Sequence, residues 1–252
     1  DSASPEKALV DFERAARLDP AQWRFGRALA ERQLRTSATA RGLETAAAYA
    51  ARFPDNYILG MLHARALLAN GRAREAAAKL ARLNVLPYEG AIEGRRLYRE
   101  AHLMLAVEAL KKGDARAARR ETDAARLWPE NLGAGQPYPE SLDERLEDFL
   151  AAQGLARRGP SAEASALLQK VADFSERQRE RGAGTLVHAL ALKQSGQEAE
   201  GRKLLADWTA RDPESVLAAW ANRAYAGAPG PLPAGAGEEV RVLAAWLENA
   251  SR

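Results

Sequence analysis

Ala8-Leu-Val-Asp-Phe-Glu-Arg-Ala-Ala-Arg-Leu-Asp-Pro20 and Ala46-Ala-Ala-Tyr-Ala-Ala-Arg-Phe-Pro54 are two alanine-rich runs, each closed by a proline. The prolines stand 34 residues apart, the period of a helix–turn–helix repeat. Alanine is the strongest helix former, and proline ends a helix because it lacks the amide donor and its ring clashes with the preceding turn. The two runs together predict helical hairpins arranged in series.

The rest of the chain agrees. Of 252 residues, 46% are hydrophobic and only 6% aromatic. Alternating Val, Ile and Thr runs, the mark of a half-buried strand, are missing, so the expected class is all-α. Short turns recur at Asn70-Gly71-Arg72, Lys112-Gly113-Asp114, Arg158-Gly159-Pro160 and Ser195-Gly196-Gln197. Glycine suits a helix end that needs a positive φ. Five residues after each glycine comes a small residue, Ala76, Ala118, Ala164 or Gly201, which lets the second helix of a hairpin approach the first. The turn glycines are 42, 46 and 37 residues apart, so the array is degenerate and carries insertions.

The expected hairpins cover 21–53, 56–84, 95–127, 143–175 and 183–211, after a lone helix over 5–18. Each carries apolar residues at helical spacing, as in Leu59, Leu62 and Ala66 with Leu80 and Leu83. Caps are expected from Ser4-Pro5-Glu6, Asp212-Pro213-Glu214 and Ser161 after Pro160. The organisation is then an array over 1–226, a Pro/Gly linker over 227–237, and a capping helix over 238–252 with Val240, Leu243, Ala244 and Leu247 on one stripe.

Charge narrows the function. There are 37 basic and 34 acidic residues, a net charge of +3, with the two signs interleaved. A nucleic-acid footprint needs a stripe of one sign, so nucleic acid is not an expected partner. Cysteine is absent, which excludes disulfides and thiolate metal sites. No apolar stretch approaches a membrane span and no signal peptide opens the chain. A first residue of Asp instead of Met suggests processing or excision, and localisation is not readable.

Two segments break the repeat: Leu83-Asn-Val-Leu-Pro-Tyr-Glu-Gly-Ala-Ile-Glu-Gly94 and Trp128-Pro-Glu-Asn-Leu-Gly-Ala-Gly-Gln-Pro-Tyr-Pro139. Both follow a second helix, and insertions at equivalent points of a repeat array emerge on one face, often the binding face. Tyr88, Glu89, Arg95, Asn131, Gly133, Gly135, Gln136 and Tyr138 are therefore the candidate partner-binding residues. They offer backbone amides, carboxamides and phenols for a peptide or a sugar. The plainer reading makes the second segment a long connection pinned by prolines, with Trp128 and Tyr138 packed beneath it.

Across most of its length the chain resembles the tetratricopeptide family, with degenerate motifs. The expected fold is thus a tetratricopeptide-like α–α superhelix, a solenoid of about six helical pairs. More narrowly, Leu83-Asn-Val-Leu-Pro-Tyr-Glu-Gly90, Gly94-Arg-Arg-Leu-Tyr98 and Trp128 to Tyr138 are similar to a family of large bacterial proteins defined by a domain of unknown function. In that family a β-sandwich resembling galactose mutarotases and some glycoside hydrolases precedes tetratricopeptide-like helices. The likeness covers about 83–150 and implies a C-terminal helical region, with carbohydrate chemistry located elsewhere.

Catalytic constellations fare poorly. There is no Cys and no G-x-S-x-G elbow for a nucleophile. None of His63, His102 and His188 has a second His four residues on; His63 and His188 each stand eight residues before a turn glycine, a packing offset, and His102 lies beside Leu103 and Leu105 on an apolar helix. Asp143-Glu144-Arg145-Leu-Glu147-Asp148 is an acidic cluster in which Asp143 and Glu147 would share a helix face. Paired acids serve glycoside hydrolysis, but acids in a first turn also complement the helix dipole, the reading preferred. The Lys/Asn clamp by which some tetratricopeptide domains hold a terminal carboxylate is missing, because the comparable positions are Met61, Leu103, Phe149 and Leu186, with Arg65 alone charged. The expectation is a non-catalytic scaffold without cofactor or metal, binding a protein or its own N-terminal domain. The alternative is an accessory region whose loops complete a sugar site.

Overall fold

The computed structural model describes residues 5–36, 38–157, 159–178 and 180–250. Among them it is all-α, with thirteen α-helices, two 3₁₀ turns and no strand. Helix α1 (Pro5–Leu18) is followed by the hairpins α2–α3 (Trp23–Arg35, Thr39–Arg52), α4–α5 (Tyr57–Ala69, Ala73–Leu80) and α6–α7 (Glu93–Lys111, Ala115–Ala125). Then come α8–α9 (Arg145–Ala156, Ala162–Arg177), α10–α11 (Ala183–Gln194, Glu198–Arg211), α12 (Val216–Tyr225) and α13 (Glu238–Ala250). The 3₁₀ turns are Glu130–Leu132 and Pro139–Ser141. No helix among the described residues is long and apolar enough to cross a membrane.

The chain forms two units. One comprises Asp1–Ala101 and Trp128–Gln136, the other His102–Leu127 and Pro137–Arg252, so the division falls within α6. In the first, α2 packs on α3, α3 on α4 and α4 on α5, and α2 also touches α4. Its core is built from small residues, Ala30, Ala46, Ala50 and Ala66 with Leu59 and Leu62, ringed by Trp23, Tyr49 and Phe53. In the second, α8–α9 and α10–α11 pack as pairs, α7–α8 and α9–α10 join them to their neighbours, and α10 touches both α8 and α12. Its core includes Phe149, Leu186, Leu205 and Trp220, and Val240, Leu243, Ala244 and Leu247 of α13 join the same cluster. Each unit thus covers apolar faces that a single hairpin leaves bare.

The turn pattern has its physical basis in the backbone. Gly71, Gly113, Gly159 and Gly196 have φ of +71°, +74°, +106° and +83°, the left-handed region that favours glycine. The small residues five positions later are buried. At Gly201 the requirement is strict, since a Cβ there would lie 2.8 Å from the Ala189 carbonyl oxygen of α10 and 2.6 Å from the Tyr225 hydroxyl.

One expected cap is corrected. Asp212 ends α11 instead of opening a helix, and the chain turns through Pro213-Glu214, where the Ser215 amide donates to the Asp212 carbonyl (3.1 Å). Ser215 is the actual cap of α12, its hydroxyl accepting from the Ala218 amide at 3.3 Å. Ser161 caps α9 through the Ala164 amide, as expected. Ser4 of the first expected cap and Arg158 of the third glycine turn lie outside the described residues.

Candidate functional site

In the first unit the segments 83–94 and 128–136 touch. The Val85 amide donates to the Asn131 carbonyl at 2.8 Å. The Asn131 side chain donates to the carbonyls of Leu80 (3.1 Å), the last residue of α5, and Leu83 (2.8 Å), just beyond it. Gly133 closes the 3₁₀ turn with φ +67°, and a Cβ on it would lie 2.8 Å from the Val85 carbonyl oxygen. Leu83, Val85 and Leu132 are buried beneath this junction. Arg95 is buried too, its guanidinium 4.6 Å from the centre of the Trp128 ring.

Above these anchors the surface is apolar. Leu86 is 69% exposed, Tyr88 53% and Ile92 40%. The Ala91 amide donates to the Tyr88 carbonyl (2.9 Å), closing the loop on itself. Glu93, at the start of α6, pairs with Arg65 of α4.

The sequence-derived candidates therefore separate by role. Arg95, Asn131 and Gly133 hold the junction together, whereas Tyr88, Glu89, Gly135 and Gln136 face solvent. Tyr138 belongs to the second unit, where it is 78% exposed instead of packed beneath the connection. It stands between Pro137 and Pro139, just before the turn Pro139–Ser141, and its backbone is extended. Trp128 alone keeps the packing role expected of both aromatics.

The acidic cluster sits at the start of α8 in the second unit, with Glu147 and Asp148 in the first turn as expected and Asp143 and Glu144 just before it. Asp143 precedes α8 and its carboxylate grips Arg145, at 2.9 Å from Nε and 2.6 Å from Nη2. Arg145 also donates to the Ser175 hydroxyl (3.1 Å) and lies 5.2 Å from the Phe174 ring centre. The Asp148 side chain, 4% exposed, accepts from Arg126 Nη2 at 2.5 Å and meets Lys170 Nζ at 3.1 Å. Glu144 shares both cations, at 3.3 and 3.6 Å. Glu147 is buried beside them. Glu144, Arg145, Asp148 and Lys170 line a cleft of about 380 Å³ with Pro139 and Phe174. Each carboxylate with a measured contact faces a cation, which compensates its desolvation.

The histidines take packing positions. Burial, then the nearby Lys79 and Arg72, pushes the His63 pKa below the ordinary imidazole value. Burial, then Arg145, does the same for His188. His102 Nδ1 lies 2.7 Å from the Glu121 carboxylate. No group of three or more metal-ligating side chains forms among the described residues. Met61, Leu103, Phe149 and Leu186, at the positions where a carboxylate clamp would sit, are buried.

No protein-family model matches the chain, and a search of the curated proteins gives no match. Sequence reasoning missed Asp148, Arg126 and Lys170 as a bridged set. The one signal for it was an acid one turn into a helix at an otherwise apolar position, flanked by Phe149 and Leu150.

Proposed function

We propose that the chain is a non-catalytic, tetratricopeptide-like helical-repeat scaffold that works through protein–protein or interdomain contact, with 83–94 as its contact surface. One observation carries the reading: Leu86, Tyr88 and Ile92 stand exposed on a segment whose underside is pinned by Asn131 and Gly133. A loop ordered before binding loses less conformational entropy when a partner arrives. Tyrosine is favoured at contact centres because it brings large area with few rotatable bonds. The 34-residue interval and the turn glycines support the repeat reading.

The test places a photo-crosslinking residue at Ile92 in cells that make the protein. One dominant protein adduct is expected, and Leu86→Asp with Tyr88→Ala should abolish it. These side chains are exposed, so the double variant should change stability by no more than about 0.5 kcal/mol. Absence of any adduct overturns the reading. So does saturable calorimetric binding of an oligosaccharide that Tyr138→Ala and Gln136→Ala remove, which would instead favour an accessory role in a carbohydrate-active protein.

A further inference from the structure

A second cleft, of about 280 Å³, lies wholly within the second unit and is lined by Val107, Leu110, Lys111, Gln153, Ala156, Arg157 and Trp246. Its chemistry is divided by position. Val107 and Leu110 are buried residues of α6 and form an apolar floor. Trp246 of α13 walls it, and the ring is fixed by an edge-on contact with Phe149, with centroids 4.9 Å apart and planes at 81°. Lys111, in the last turn of α6, and Arg157, which ends α8, supply the charge.

Neither cation is paired with a carboxylate among the described residues, and no acid lines the cleft. This contrasts with the other cleft of the unit, where Glu144 and Asp148 face Arg126 and Lys170. A cation at a helix C-terminus complements the dipole, which accounts for Lys111 and Arg157 singly. It does not account for both flanking one apolar hollow with an aromatic wall. Gln153 adds a donor: its amide nitrogen gives one proton to Gln194 and has a second to give.

We infer that this cleft binds a carboxylate carried on a short apolar tail, the tail between Leu110 and Trp246 and the carboxylate between Lys111 and Arg157. The space holds roughly nine water-sized groups, which matches a medium-chain fatty acid or the last residue of a peptide with a free C-terminus. Arg157 supplies a planar fork for a carboxylate and Lys111 a point charge beside it. The site is separate from the 83–94 surface and does not depend on it.

The test titrates octanoate into the full chain and follows tryptophan fluorescence together with calorimetric heat. Saturable binding is expected, and octylammonium at the same concentrations should give none. Lys111→Gln with Arg157→Gln should weaken octanoate about tenfold or more while the unliganded chain keeps a cooperative thermal transition, since two charge-assisted contacts are lost. Trp246→Phe should retain the heat and lose the fluorescence change. Equal binding of octanoate and octylammonium overturns the inference, as does unchanged affinity in the Gln pair. Competition distinguishes the source of the carboxylate. A peptide ending in free Leu that displaces octanoate, while its amide does not, assigns the site to chain ends. Failure of both peptides, with octanoate bound, assigns it to free acids.

Discussion

Gly133 answers two demands at one position. Its φ of +67° favours a residue without a side chain, and its α-carbon approaches the Val85 carbonyl too closely to admit one. Gly133→Ala should therefore cost about 1–3 kcal/mol in urea unfolding, from backbone strain and a displaced neighbour. It should also speed hydrogen exchange at the Val85 amide, which reports the junction directly. Asn131 works beside it by binding two carbonyls at and just beyond the end of α5. Residue type alone placed Asn131, Gly133 and Arg95 among ligand candidates, because a loop carboxamide or guanidinium serves a ligand and a backbone carbonyl or aromatic ring equally well. Only the contacts decide between those uses. Tyr88, Glu89, Gly135 and Gln136 remain available because the anchoring residues satisfy the loop from beneath.

Among the elements, hairpins were legible and one helix start was not. Turn glycine with a small residue five positions on is a local signature, since both ends of the constraint lie within one hairpin. The start of α12 misled because Asp-Pro-Glu at 212–214 has the form of a capped first turn, while the next Ser competes for the same role. Ser215→Ala should cost about 1 kcal/mol, the usual worth of a cap, and Asp212→Ala less than half of that, by thermal unfolding. At the start of α8 the first-turn acids were legible but their cations were not. Arg126 follows α7 and Lys170 belongs to α9, so the neutralisation of Asp148 spans 22 residues on either side and no local pattern encodes it.

At the scale of the whole molecule, each unit holds a histidine with a depressed pKa, His63 in one and His188 in the other. Below the ordinary imidazole value, the unfolded chain binds protons that these folded sites resist. Their contribution is therefore intact above pH about 6.5 and is lost as the pH falls through the folded-state values. Urea midpoints should drop as the pH falls below about 6.5, and His63→Gln with His188→Gln should flatten that decline. An unchanged slope in the double variant would show that the imidazoles are solvated.

The sequence by itself determined the all-α class, the hairpin boundaries and the positions of the interruptions. These follow from helix propensity, the backbone demands of glycine and proline, and apolar spacing, all set by residues within about a turn or a hairpin of each other. The tertiary structure alone decided which polar residues of the interruptions anchor and which face outward. It also decided that the acids of α8 are bridged by cations, and that Lys111, Arg157 and Trp246 meet around one hollow. Such juxtapositions depend on how helices distant in the chain pack, and that packing is set by the summed burial of many side chains instead of any short motif.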